Sequence, residues 1–394
     1  MQGCLRIAIV GYGTAGQAAA LFLADQGHEL SIFEQAPVLG PVGAGFLLQP
    51  TGLGVLDRLG LGDLVLERGQ RVDRLFGSTP GGRRVMDMSY GDHAPGCFGL
   101  GLTRGSLFDV LRDAYTDVDR IATGTRIESI EGGRELRDVS GRLHGPFDLI
   151  VVADGAHSYL REGYADILHR QKLYPWGALW CLLPAEGWPY PDQLQQRYAG
   201  TREMIGVLPV GQRSGHQGRW LTFYFSAPGD QLDRFDEQAL ARMRERVDAI
   251  WPEVTPTLAT ITSPEQIHRA RYRDVVLRKP HQGNVVFVGD AAHAMSPQLG
   301  QGVNMALLDA QALAHGLATC TSLALALGHY HRRRRRHLAI YQRLSRWLTP
   351  WFQSNYSVLS PWRDLTFGPL GRFPLSRQSM LRVLTGTIGH KSEE

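Results

Sequence analysis

An α/β fold, interrupted by an antiparallel sheet and followed by a helical segment, is predicted by three observations. A short apolar run, Leu5 to Val10, leads directly into Gly11-Tyr12-Gly13-Thr14-Ala15-Gly16. Two later apolar runs, Phe147 to Ala153 and Asn284 to Val288, each deliver a carboxylate beside a glycine, Asp154-Gly155 and Gly289-Asp290. Between about 166 and 274 the grammar changes to short strand-like segments separated by Gly, Pro and Gln turns.

The opening reads as a βαβ unit. An unbroken apolar run suits a strand buried on both faces. Ala15 to Gln26 reads as a helix ended by Gly27, and Glu29 to Phe33 as the second strand. In the glycine loop, Gly11 permits a tight turn, Gly13 lets the backbone approach a pyrophosphate, and Gly16 lets helix and strand pack closely. The helix start offers free N–H groups and a partial positive charge to that anion. Glu34, 18 residues after Gly16, is placed to accept hydrogen bonds from ribose hydroxyls. The loop alone does not choose between dinucleotides.

Residues 303 to 314 read as a helix with Val303, Leu307, Ala310 and Ala314 on one face. In the turn-punctuated region, Ala178 to Leu183, Met204 to Val210 and Trp220 to Phe225 read as antiparallel strands. After about 325 the pattern is helical: Arg332 to Arg336 form a charge run, followed by Leu338, Tyr341, Leu344 and Leu348 at helical spacing. A basic amphipathic helix can touch a membrane or an acidic partner. A solvated helix whose apolar side packs on the rest of the chain is the preferred reading.

Composition narrows the class. At 394 residues the chain is longer than one core usually supports. Its 43% hydrophobic and 20% charged residues are those of an ordinary globular protein. A net charge of +4, with most basic residues spread along the chain, argues against nucleic-acid binding. Cys4, Cys97, Cys181 and Cys320 sit at no metal or redox spacing, so no metal site is expected. No signal segment or membrane span is read, and the expectation is a cytoplasmic protein.

In this order, the glycine loop, the Asp154-Gly155 segment with Arg161, and Gly289-Asp290-Ala291-Ala292-His293 through Pro297 to Gly300-Gln301-Gly302-Val303-Asn304 resemble the group A FAD-dependent aromatic monooxygenases. These are the para-hydroxybenzoate and salicylate hydroxylase type, and the likeness covers most of residues 5 to 315. It implies a Rossmann-like FAD-binding domain from 1–72, 98–165 and 275–325. An inserted antiparallel β-sheet substrate domain would come from 73–97 and 166–274, and a C-terminal helical region from 326–394.

Residue roles follow from the resemblance. Gly11, Gly13, Ala15 and Gly16 would hold the FAD pyrophosphate, and Glu34 the adenosine ribose. Asp290 would hold the ribityl chain, and Arg104 would contact FAD. The turn of Gly300, Gln301, Gly302 and Val303 would aim N–H groups at the flavin N1–C2=O edge, with Pro297 beside the substrate. Such fixed dipoles favour a reduced, anionic flavin. The loop Pro41-Val42-Gly43-Ala44-Gly45 would run beside the flavin. Asp154 and Arg161 match the motif linked to FAD and reduced nicotinamide, where Arg161 could meet a nucleotide phosphate. His293 is read as a feature of the turn rather than a base.

The implied reaction takes NADPH or NADH and O2 and hydroxylates an aromatic or related electron-rich small molecule, polyketide-like compounds included, through a flavin C4a-hydroperoxide. The protein supplies orientation, charge and a dry pocket. Tyr224 is the expected substrate-activating residue, because Trp220, Thr222 and Tyr224 share one strand face and one face must meet the pocket. Gln49 and Met204 are further substrate candidates. Halogenation is disfavoured by the missing Trp-x-Trp-x-Ile-Pro segment, whereas epoxidation and Baeyer–Villiger oxidation stay open. A non-catalytic flavin sensor is the remote alternative. Monomer and homodimer are both compatible with the sequence.

Overall fold

The structure, a computed structural model, describes residues 3–40, 43 and 45–390. Its central six-stranded sheet runs in the order His281–Gln282, Val285–Phe287, Leu149–Val152, Arg6–Val10, Glu29–Phe33, Ile121–Ala122. All neighbours are parallel except the edge pair His281–Gln282 with Val285–Phe287. Ile7, Ile9, Leu149, Val151 and Val286 are fully buried, as strands covered on both faces require.

The Thr14–Asp25 and Gly302–Thr319 helices pack on one face of this sheet within a single core. Ala15, Ala18 and Ala19 on the first helix and Ala306 and Ala310 on the second share that core. Small side chains let two helices approach without Gly's entropic cost. The second helix runs past the expected end at 314, because the Ala/Leu pattern continues through Leu317.

A seven-stranded sheet takes the order His268–Leu277, Leu168–Pro184, Arg219–Pro228, Glu203–Gln212, Gln193–Ala199, Arg74–Ser78, Arg84–Ser89. One junction departs from the antiparallel expectation: Gln193–Ala199 and Arg74–Ser78 run parallel. The hairpin 74–89 reaches the sheet from a distant part of the chain, so no tight turn dictates its direction.

The two faces of this sheet have different partners. Leu179, Cys181, Phe223 and Phe225 pack under the Glu237–Ile250 helix through Leu240, Met243 and Val247. Ala178, Met204 and Tyr224 point the other way, towards Phe352 and Phe367 of the C-terminal helices.

Three C-terminal helices, Leu323–Phe352, Leu359–Leu370 and Pro374–Leu384, complete the chain. Ser322 caps the first through the N–H of Leu325. The charge run within it is only partly solvated. Arg334 is 2% exposed, and it donates to Asp309 Oδ1 at 2.7 Å.

Candidate active site

Parallel strands end at a common edge, which brings four sequence-distant segments together. Gly11 follows Val10, Glu34 follows Phe33, Asp154 lies just beyond Val152 and Asp290 just beyond Phe287. Gly11 has φ +97°, and a Cβ there would lie 2.5 Å from the Ala153 carbonyl oxygen, so only glycine fits. A Cβ on Gly16 would come within 2.0 Å of the Gly11 oxygen. Gly13, at the start of the Thr14–Asp25 helix, has nothing within 4 Å of such an atom. The helix N-terminus therefore faces open space, as an anion site requires.

Glu34 is held over this loop. Its Oε2 accepts from Tyr12 N–H and its Oε1 from Ala36 N–H, both at 2.8 Å. A carboxylate offers about four lone-pair positions, so capacity remains for ribose hydroxyls. Gly289 (φ +59°) faces Ala15: a Cβ there would meet the Ala15 Cβ at 2.8 Å. The glycine loop and the Gly289-Asp290 turn are thus in contact.

The exposed Asp290 carboxylate lies beside the Gly302–Thr319 helix start, with Oδ1 3.9 Å from where a Gly302 Cβ would be. Gly300 reverses the chain in the left-handed conformation (φ +62°) after Pro297–Leu299. Gln301 donates to the Leu384 carbonyl at 2.8 Å, its Oε1 buried without a partner. Gly302 and Val303 follow, half-buried. Asp154 keeps Oδ1 buried and unpartnered, and burial raises its carboxyl above the ordinary range.

Arg104 begins the Arg104–Ala114 helix, is exposed, and passes within 2.8 Å of the Cβ position of Gly43. Of the loop at 41–45, Pro41, Val42 and Ala44 lie outside the described residues. Gly45 N–H donates to Thr222 Oγ1 at 2.6 Å, tying this loop to the same strand face as Tyr224.

Arg161 differs from its expected role. It is fully buried and donates to Gln171 Oε1, the Ala291 carbonyl and the Ala156 carbonyl at 2.9, 2.7 and 3.0 Å. A guanidinium so enclosed has no surface to offer a nucleotide phosphate. It instead cross-links the Asp154 and Asp290 turns from behind.

Tyr224 is 6% exposed and stands edge-on to Trp180, ring centroids 4.7 Å apart. Burial pushes its hydroxyl far above the ordinary tyrosine value, so it stays protonated at neutral pH. Near it, Trp180 Nε1 and the Tyr272 hydroxyl are buried without a formed hydrogen bond. Met204 packs in the same cluster. Gln49 Oε1 accepts from the Tyr90 hydroxyl, and the Gln49 backbone N–H donates to Asn304 Oδ1.

Sequence reasoning missed two groups. Asp309 Oδ2 accepts from Gly289 N–H at 2.9 Å and from His293 Nε2 at 2.5 Å. One carboxylate thus pins both ends of the Asp290 turn. Burial would raise its pKa, but His293 and Arg334 hold it down at about 2. The available signal was the one acid in a mostly apolar helix. The other group is Gln353, which links Tyr224 to Gln298, and nothing near it in sequence announces that role.

A cleft of about 920 Å³ borders Leu179, Phe225 and Met243. It lies on the helix-covered face of the sheet, away from these loops, and is not the site described.

The FAD binding domain family matches residues 5–343. A 3-amino-4-hydroxybenzoate 2-monooxygenase of Streptomyces cremeus is 31% identical over 78% of this chain and 77% of its own. A probable 2-heptyl-3-hydroxy-4(1H)-quinolone synthase of Rhodococcus erythropolis is 27% identical over 86% of each. The solved structure of Klebsiella pneumoniae HpxO complexed with FAD and uric acid aligns with a TM-score of 0.83 at 20% identity. That alignment covers 98% of this chain and 97% of the other.

Proposed function

This chain belongs to the FAD binding domain family and is an FAD-dependent aromatic monooxygenase, and from that premise we propose which residues hold FAD and what substrate the chain takes. One observation carries the reading: Gly11, Glu34, Asp154 and Asp290 converge at one sheet edge, facing open space at Gly13 and Gly300.

The residues suit the cofactor. Open Cβ positions at Gly13 and Gly300 leave room for it. The Thr14–Asp25 helix start would hold the pyrophosphate and Glu34 the adenosine ribose, while Arg104 would contact FAD from beside Gly43. Asp290 would receive the ribityl hydroxyls, and the N–H groups at Gly302 and Val303 would serve the pyrimidine edge of the flavin. Arg161 and Asp309 position these turns without touching the cofactor. When bound, FAD supplies the redox centre that accepts hydride from NADH or NADPH and activates O2.

The seven-stranded sheet is read as the inserted substrate domain. Tyr224 accepts from Gln353, so its own proton is free to be donated to a substrate oxygen. Because burial keeps that proton on, Tyr224 acts as donor and orienting group rather than as a base. Trp180 Nε1 and the Tyr272 hydroxyl add two further donors. Buried donors left unsatisfied are costly, so a bound ligand presenting acceptors gains by meeting them.

The substrate, product or bound ligand named for each of the relatives above is a ring system carrying nitrogen and a hydroxyl or oxo group. We infer an electron-rich aromatic of that class here, an amino-phenol or a hydroxy- or oxo-substituted nitrogen heterocycle. The test measures NADH and NADPH consumption and product mass with 4-quinolone and 3-amino-4-hydroxybenzoate, against styrene and a cyclic ketone. Stimulated turnover and a monohydroxylated aromatic product are expected. Oxygenation confined to styrene or the ketone would replace hydroxylation by epoxidation or Baeyer–Villiger chemistry.

A further inference from the structure

The Leu359–Leu370 helix buries Phe367 against Phe352 and Trp351 but keeps a second apolar side outward. Val358, Pro361, Trp362, Leu365 and Pro369 fall at helical spacing on one side, and all five are exposed. Val358 is 71% and Trp362 63% exposed. The opposite side is held inward by Arg363, fully buried, which donates to the Gly200 and Trp351 carbonyls at 2.8 and 3.0 Å. A surface helix ordinarily buries its apolar stripe.

The neighbouring segments extend the same character. Phe373 and Leu375, at the corner leading into the Pro374–Leu384 helix, are 63% and 87% exposed, and Trp347 on the preceding helix is 56% exposed. Exposed apolar groups of this density in one stretch of chain mark an interaction surface rather than ordinary surface scatter.

The charge around these groups selects the partner. Residues 331–390 contain eleven arginines and one acid, Asp364, while the whole chain is only +4; of the eleven, Arg334 and Arg363 are buried, and Arg346 and Arg377 pair with Asp274 and Asp92. The remainder of the molecule is therefore net acidic. Arg343 lies one turn before Trp347, Arg372 precedes Phe373, and Arg382 follows Leu375 by two turns, all three exposed. None of the three makes an ion pair among the described residues. No helix among the described residues is long and apolar enough to cross a membrane. A bilayer contact by these helices would therefore lie in the membrane plane.

We propose that the outer face of the Leu359–Leu370 helix, with Trp347, Phe373 and Leu375, docks on an anionic phospholipid membrane. Trp and Phe seat at the headgroup–acyl boundary, and the arginines meet lipid phosphates. Two-fold pairing with a second copy would bring like charges together and is disfavoured. Nucleic acid offers phosphates but no environment for Val358, Leu365 and Leu375.

The FAD-loaded full chain is sedimented with vesicles of phosphatidylcholine alone and of phosphatidylcholine mixed with phosphatidylglycerol. Co-sedimentation with the anionic vesicles is expected, weakening as salt rises. Trp362→Ser with Leu375→Ser should lower the bound fraction roughly tenfold, and Arg372→Glu with Arg382→Glu by about as much. Flavin retention and circular dichroism report that the variants are folded. Wild-type protein that stays in solution with both vesicles overturns the proposal, whatever the variants do. So does equal binding to both vesicle types, or a lipid-free dimer that the apolar substitutions dissolve.

Discussion

Gln353 donates its amide to the Tyr224 hydroxyl at 2.6 Å, while its carbonyl accepts from Gln298 at the same distance. Gln353 caps the end of the Leu323–Phe352 helix, and Gln298 sits in the Pro297–Leu299 turn. A C-terminal helix thus couples the sheet face to the turn proposed to meet the flavin. Tyr224→Phe should retain FAD and its reduction by NAD(P)H but lose product. Loss of a proton donor typically costs ~10²–10⁴-fold, and hydrogen peroxide should appear in place of hydroxylated substrate. Full coupling in the variant would reduce Tyr224 to a packing residue.

Gln353→Leu separates orientation from chemistry. The Tyr224 hydroxyl would survive without its anchor, so the coupling defect should be milder than that of Tyr224→Phe. Product formed per NAD(P)H consumed measures it. A defect larger than that of Tyr224→Phe would move the essential contact to Gln353 itself.

At the other end of the cofactor site, Asp290→Ala removes the carboxylate beside the Gly302–Thr319 helix. Charge-assisted hydrogen bonds are worth ~1.5–3 kcal/mol each, so the FAD dissociation constant should rise by roughly 10- to 150-fold. Flavin fluorescence titration reads it directly, and an unchanged constant would remove Asp290 from the site. Glu34→Ala should weaken FAD less.

Arg161→Ala should act on stability rather than on nicotinamide kinetics. It strips donors from the buried Ala291 carbonyl and the half-buried Ala156 carbonyl, a buried one costing ~1–3 kcal/mol when orphaned. A melting temperature lower by roughly 2–7 °C is expected, with the KM for NAD(P)H little changed in the folded fraction. A large rise in that KM without loss of stability would restore a direct contact.

His337 makes stability depend on pH. Burial first, then the neighbouring Arg334, lower its pKa from 6.5 to about 2. A folded value below the unfolded one means the unfolded chain binds the proton more tightly. The neutral imidazole's contribution is complete above about pH 6.5 and is lost as pH falls toward 2, at about 1.4 kcal/mol per pH unit. His28, His157, His281 and His331 are shifted the same way, so a difference measurement is needed. In urea unfolding between about pH 6 and pH 5, His337→Gln should lose stability less steeply than wild type. Identical slopes would mean His337 is protonated in the fold.

Local pattern carried the nucleotide side of the fold. Glu29 to Phe33 is the strand read from sequence, and the first helix spans Thr14–Asp25 against an expected 15–26. Apolar runs and glycine punctuation are short-range signals, which is why they were readable. The strand expected over Ala178 to Leu183 instead runs Leu168–Pro184, with register shifts at 168–170 and 173–177. Those shifts, and the exposed Arg170 and Lys172 along it, break the alternation on which a strand reading depends. Asp309 with Arg334, and Tyr224 with Gln353, meet across 25 and 129 residues of chain. Only tertiary packing brings them together, and no local spacing encodes it.

The central claim is that this chain places oxygen from O2 onto an aromatic ring. The most direct measurement supplies the FAD-loaded protein with NADPH or NADH, a hydroxylated nitrogen heterocycle and isotopically heavy oxygen gas, and weighs the product. One heavy oxygen atom in the hydroxylated ring, with substrate-stimulated consumption of the nicotinamide cofactor, is the expected result. A product oxygen drawn from water, or cofactor consumption that no aromatic compound alters, would contradict it.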